Sequence, residues 1–507
     1  MNSRPYLSLL GVLVLLGGGS AAAGQLPQRH PAPVPMAGSA AVVGAAAVCP
    51  DLRQDRTVLR TRVSAGVSRP DSTTEAVTVT GGSIVAQPLR AQRRGDGGAP
   101  AQLPIDRPGQ VAVDLGGNLN GDALVVTARG ALAAGLELEQ VTRGQSGAER
   151  GLAGLRCRAP ATQAWFVGGS TRVGDATLLV LANPDDTPAL VDVTVWTSDG
   201  PVDPRPGRGI AVPPRSRAAV PVDILAPDKD LLALHVVAQR GRVVAALRHA
   251  RYDGHTSRGV EWVPQALPPA TTVVVPGLPR GPGRRIVQVT NPGPDTTVVS
   301  LQMTTATAQF VPTGLDALRV PPGTTVATDV TELTNPTPLA VTVTSAGGPV
   351  LAGAFVYDSQ GTSRTKEFAY AGSALPLRGS ALITDLVIDR PTESTLLLSA
   401  PTAGAAVDVT PVPVVGVPGP LPDARRVDVP AGRTVELKLS TFLPPGATGR
   451  LAVDVAPVPG SGPVYAARYL RERGDTGPLT TILELQGAAQ RVALPVVRRD
   501  PLVGTSR

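Results

Sequence analysis

His249, Asp253 and His255 are the residues of this chain whose types and spacing come nearest to a reactive constellation. A metal or acid–base centre there needs the two imidazoles to converge across a turn with Asp253. The chain itself argues for a plainer role. A later stretch, Ala354-Phe355-Val356-Tyr357-Asp358, keeps the Tyr-Asp pair of Tyr252-Asp253 and carries no histidine. A shared Tyr-Asp pair fits a strand end, so a solvated hairpin end is expected. His30 falls in a Pro-rich segment, and His235 falls in an alternating strand-like run.

Other chemistries fail on pattern. Gly168-Gly169-Ser170 and Gly144-Gln145-Ser146-Gly147 read as turns, and no Gly-x-Ser-x-Gly elbow occurs. The His-Glu-x-x-His, phosphate-loop and dinucleotide patterns are absent as well. Asp185-Asp186, Asp228 with Asp230, and Asp114 with Asn118, Asn120 and Asp122 could offer oxygens to calcium. The last set lacks the full alternate-ligand series and the closing Glu. Turn chemistry accounts for all of them equally well.

The Arg-Gly-Asp triplets at 94–96 and 473–475 are ordinary turn sequence. Arg90, Arg93, Arg94, Arg498 and Arg499 read as solvated loops that an acidic envelope polymer could exploit. Trp165, Trp196 and Trp262 read as core or interface anchors. Trp196 faces away from Val195, and an outward facing makes it a ligand candidate. The sequence thus assigns no catalytic residue, cofactor or metal.

The elements around these residues are strands. The 507 residues include 56 Gly and 52 Pro, about twice ordinary usage, with only 3% aromatic and 17% charged residues. Such a chain builds neither coiled coils nor helical bundles. Its 42% hydrophobic content and mean hydropathy of +0.10 exclude disorder throughout. A net charge of +7 over this length is no nucleic-acid signature. Three lysines against 44 arginines match the codon bias of a GC-rich genome.

Three landmarks recur every 108 or 109 residues. Leu179–Pro184 ends in Asn-Pro, as does Ile286–Pro292, and Leu396–Pro401 follows with Ala for Asn. Val212-Pro213-Pro214, Val320-Pro321-Pro322 and Val429-Pro430-Ala431 form the second set. The third reads as a hairpin, with turns at Gly241, Gly347-Gly348 and Gly460-Ser461-Gly462. A degenerate first copy repeats the second and third landmarks around Pro108-Gly109 and Gly130. The intervening runs are Val-, Thr- and Leu-rich segments of five to eight residues, and Val191–Trp196 alternates cleanly.

The fold expected is all-β: four tandem immunoglobulin-like β-sandwich repeats of about 108 residues after an N-terminal export segment. The repeats are placed at 45–160, 161–268, 269–378 and 379–485, with a basic tail at 486–507.

The Trp165-Phe166-Val167-Gly168-Gly169 opening, the Asn-Pro step, the strand before Asp199-Gly200 and the Val-Pro-Pro run together resemble a family. It is a domain-of-unknown-function family of exported proteins from high-GC Gram-positive bacteria. The resemblance covers most of 48–485 and implies an envelope location without catalytic residues.

Residues 1–24 read as a signal peptide, from Arg4 through the apolar Leu9–Leu16 to Ala21-Ala22-Ala23. An uncleaved single membrane anchor is the competing reading. A Pro/Ala-rich linker, 25–44, follows. Cys49 and Cys157, the only cysteines, are expected to form one structural disulfide in an exported chain.

The favoured function is a non-catalytic extracytoplasmic cell-envelope protein, a rod of tandem sandwiches acting as scaffold or spacer for an envelope protein or cell-wall polymer. Alternatives are a binding module for cell-wall glycan or an anionic envelope polymer, and an envelope-acting enzyme built on His249, Asp253 and His255.

Overall fold

The computed structural model describes residues 38–494 apart from 53–58, 71–80, 90–99, 116–121, 204, 335–336, 359–365, 390–391 and 475–476. The export segment, most of the linker with His30, the first Arg-Gly-Asp triplet with Arg90 and Arg93, Asn118, Asn120 and Arg498-Arg499 lie outside the described residues. Among the described residues, 41–490 form one compact unit, and 38–40 with 491–494 belong to a second. In the second, Leu494 N–H donates to the Gly38 carbonyl at 2.7 Å and Arg491 Nε to Ser39 Oγ at 2.9 Å.

The larger unit is nearly all β. Eight sheets of four or more strands pair about four large buried cores, here labelled sandwiches I to IV in chain order. In II, one sheet joins Gln163–Val167, Ala189–Thr197 and Ala233–Arg240. The facing sheet joins Asp175–Asn183, Ser216–Pro221, Val244–Asp253 and Thr256–Val263. The alternation in Val191–Trp196 has its expected cause: Val191, Val193 and Val195 enter the core, while Asp192 and Thr194 lie half-buried on the other face.

The Asn-Pro and Val-Pro-Pro landmarks recur together because one side chain joins them. Asn183 Nδ2 donates to the carbonyls of Thr187, Val212 and Pro213 at 2.8, 3.1 and 3.2 Å, and its Oδ1 accepts Asp185 N–H. Asn291 repeats this on Asp295, Val320, Pro321 and Gly293. A buried amide is thus fully paired in each.

The third landmark is not a hairpin. Ala233–Arg240 and Val244–Asp253 sit in opposite sheets, as do Leu339–Ser345 with Leu351–Asp358 and Gly449–Pro457 with Tyr465–Gly474. The turn is an arch. Leu234 and Val236 meet Ala245 and Leu247 across the core, a facing that a glycine between two apolar runs does not distinguish from pairing. The true hairpin comes next, where Asp253 opposes Thr256 around Gly254-His255.

A rod of tandem sandwiches, the expectation from the sequence, does not require its two ends to touch. The first and fourth also meet. Four edge strands, Gly151–Arg156, Thr256–Val263, Glu367–Gly372 and Gly477–Leu485, each pair on one side only within their own sheets. The first packs on the second, the second on the third, the third on the fourth, and the fourth on the first. These four edges are thereby closed to a foreign strand. Glycine permits the approach: a Cβ on Gly151 falls 2.6 Å from Val260 N, and one on Gly154 falls 2.7 Å from Thr481 Oγ1.

The seams differ in chemistry. Phe355, Phe368 and Tyr370 of III complete the core of II, and Ala467 and Ile482 of IV complete that of III. Between I and IV a small apolar cluster around Val111 and Val414 is joined by backbone bonds, Val111 N–H to Pro413 O and Val415 N–H to Val111 O. A second apolar cluster, Val141 and Leu152 with Leu470 and Leu479, lies on the same seam beside several charged pairs.

Candidate functional site

The place where the four sandwiches meet carries the densest buried chemistry. Arg150, 4% exposed, enters it from the turn before Gly151–Arg156 of I. Its Nη1 donates to the Lys366 carbonyl and to Glu367 Oε2 of III, both at 3.3 Å. Its Nη2 donates to the Pro478 carbonyl of IV at 3.0 Å, and its own carbonyl accepts Ser257 Oγ of II at 3.0 Å. One residue therefore bonds to the three other sandwiches.

Glu261 of II lies beside it, 1% exposed. Its Oε1 accepts Trp262 N–H at 2.8 Å and Gly154 N–H of I at 3.0 Å. Burial pushes its carboxyl well above the ordinary range, against hydrogen bonds from Thr481 and these two amides. Glu484 of IV, raised by burial too, accepts the Gly372 N–H of III.

On the I–IV seam, Arg156 pairs with Glu137 at 2.7 Å and donates to the Leu382 carbonyl at 2.6 Å. Glu137 accepts Leu382 N–H in return. Arg450 joins Asp385 and Asp114, and Arg62 and Arg143 reach Asp385 and Glu472.

The structure separates the residues that the sequence grouped. His249 is 2% exposed and points into the II–III seam. Its Nδ1 lies 2.8 Å from Tyr370 Oη and its Nε2 lies 3.2 Å from Asp175. Tyr370 Oη also accepts Gly169 N–H, and Arg251 Nε donates to Asp175. Burial lowers the His249 pKa against the pull of Asp175, so a neutral imidazole is held between partners. Asp253 and His255 stay at the exposed hairpin end, where Asp253 pairs with Arg258. No shared site forms from the three.

The other candidates resolve individually. Asp185 and Asp186 are engaged by Arg242 and Arg215, Asp230 by Ser198, and Asp114 by Arg450. Among the described residues no group of three or more His, Cys, Asp or Glu is placed to hold a metal. Trp196 does face away from its core, yet it is only 9% exposed, packed with Trp165 and with Leu351 of III. His235 stacks on Trp165 with ring centroids 3.5 Å apart, and burial pushes its pKa down to about 4. Trp262 packs against Ala153 of I. Cys49 and Cys157 are joined as a disulfide, a bond at home in an oxidising compartment. No helix among the described residues is long and apolar enough to cross a membrane.

Sequence reasoning missed Arg150, Glu261, Arg468 and the Glu137/Glu139 pair. Leu136-Glu137-Leu138-Glu139 alternates as a strand with one solvated face, and only sandwich IV reveals that this face is covered.

Residues 115–464 match the family model described as a family of unknown function, DUF5719. No curated protein matches the chain.

Proposed function

From the premise that the chain belongs to the DUF5719 family, we propose that it is a non-catalytic, exported cell-envelope scaffold. Its four sandwiches act as one body that holds an envelope partner outside the membrane, tethered or released through the N-terminal segment. The observation that carries this reading is Arg150, which ties sandwich I to each of the others inside a filled, buried junction. The polar groups most suggestive of catalysis support it further. His249, Asp175 and Tyr370 spend their hydrogen bonds on one another in a closed seam. The Cys49–Cys157 disulfide supports an oxidising location.

In-cell photocrosslinking tests the proposal. A photoreactive residue is placed at exposed Val173 or Ile224 in the native host, beside a reporter fusion that is active only outside the membrane. Discrete adducts with an envelope protein are expected. They should survive His249→Gln and disappear in Arg150→Met, which loosens the junction. An inactive reporter, no adduct at either position, or a catalytic activity abolished by His249→Gln overturns the reading.

A further inference from the structure

We propose that the cleft between sandwiches I and IV binds an acidic polyhydroxylated chain, a saccharide or polyol carrying a carboxylate or phosphate. The cleft has a volume of about 650 Å³, within the usual range for small-ligand sites. It goes beyond the scaffold reading and does not depend on it.

The lining fixes the chemistry. Ser380 and Asp454, 5% and 3% exposed, form part of it, with the Ser380 hydroxyl bonded to the Asp454 carboxylate. Thr410 adds a hydroxyl that can both donate and accept, and Ser461, whose proton goes to the Ala406 carbonyl at 3.3 Å, adds an acceptor, which suits a ligand dense in hydroxyls. Arg69 and Arg378 are exposed and make no ion pair among the described residues. The other carboxylate of the lining, Asp408, is already held by Arg426 at 3.0 Å. Against the single buried carboxylate of Asp454, the two exposed arginines leave the lining net positive, and a guanidinium matches a carboxylate or phosphate through paired N–H donors. No aromatic side chain lines the cleft, so it has no platform for stacking nucleobases.

The walls are preorganised. The arch of sandwich IV, Pro457–Pro463, carries three prolines where II and III cross with short glycine turns. Proline fixes the backbone, so less ordering cost falls on ligand binding. Its ring faces also offer apolar surface to the C–H faces of a sugar.

Calorimetry on the purified chain at fixed salt tests the site with three probes: a glucuronate–N-acetylglucosamine tetrasaccharide, a glycerol phosphate hexamer and a neutral N-acetylglucosamine tetramer. One of the two anionic probes should bind at least tenfold tighter than the neutral one, and which one does so identifies the oxyanion. The double change Arg69→Ser/Arg378→Ser should weaken binding at least tenfold. Thr410→Val should weaken it severalfold, and Arg319→Ser, an exposed arginine of sandwich III, should leave it unchanged. No binding of either anionic probe, equal binding of the neutral one, or equal loss in Arg319→Ser overturns the proposal.

Discussion

Arg468 of sandwich IV and Glu139 of sandwich I form a 2.5 Å ion pair whose side chains are 1% and 0% exposed. Arg468 also donates to Ser394 Oγ and to the Asp385 carbonyl, so its guanidinium is well paired inside the seam. Glu139 is less so, because its Oε2 has no partner among the described residues. Breaking such a pair strands a buried charge, whereas removing both charges removes the desolvation cost as well.

Arg468→Met should therefore destabilise the chain by about 3–5 kcal/mol, and the double change Arg468→Met/Glu139→Leu should recover most of that loss. Urea denaturation of the two variants and their double-mutant cycle measures it. Two additive single losses would show that the charges do not act as a pair.

Glu261 yields a sharper contrast. Burial raises the pKa of its carboxyl against the two amide protons that Oε1 accepts, while Oε2 has no partner among the described residues. Gln keeps the oxygen that accepts both amides and carries no charge, but it places an NH2 group without an acceptor where Oε2 stood, so Glu261→Gln should cost about 1 kcal/mol. Glu261→Ala orphans two buried N–H groups and leaves a cavity, and should cost about 2–4 kcal/mol. Equal losses in both variants would mean that the carboxylate is charged and needs its charge.

The legibility of these groups follows from how far their partners lie. Strand content and the spacing of the Asn-Pro and Val-Pro-Pro landmarks were readable, because each depends on contacts within about 30 residues, such as Asn183 to Val212. The arch at Gly241 was not, since pairing and crossing bury the same alternating side chains. Arg150 lies 217 residues from Glu367 and 328 from Pro478, and nothing local to Arg150 marks it as buried. His249 misled for the same reason. Its partners Asp175 and Tyr370 are 74 and 121 residues away, while Asp253 and His255 are close only along the chain.

Two groups make stability depend on pH in opposite senses. Burial pushes Glu137 from its ordinary 4.5 up to about 7, outweighing Arg156 and the Leu382 N–H. The folded state thus keeps a proton that the unfolded chain has released, so this contribution is full below about pH 4.5 and is lost as pH rises through 7. His235 is pushed from 6.5 down to about 4, so its contribution is present above 6.5 and is lost as pH falls toward 4. Their slopes oppose one another between about pH 4.5 and 6.5. The variants should separate the two. Glu137→Gln should gain stability relative to the parent as pH rises from 5 to 8, while His235→Phe, which keeps the stack on Trp165, should gain as pH falls from 7 to 4.5. Melting temperatures across the range test this, and pH-independent differences would remove both groups as the cause.

The Cys49–Cys157 disulfide closes a sequence separation of 108 residues and ties the Gly44–Leu52 strand of sandwich I to the segment leading into sandwich II. Both cysteines are buried in the core of I. A loop of that length restricts the unfolded chain enough to contribute about 4–5 kcal/mol in the chain-entropy account. Cys49→Ala/Cys157→Ala should therefore lower the unfolding midpoint in denaturant, with the slope rising because the unfolded chain exposes more surface. The loss should match that of the parent measured under reductant. A reduced parent with an unchanged midpoint and slope would show that the crosslink adds nothing to the packing already joining sandwiches I and IV.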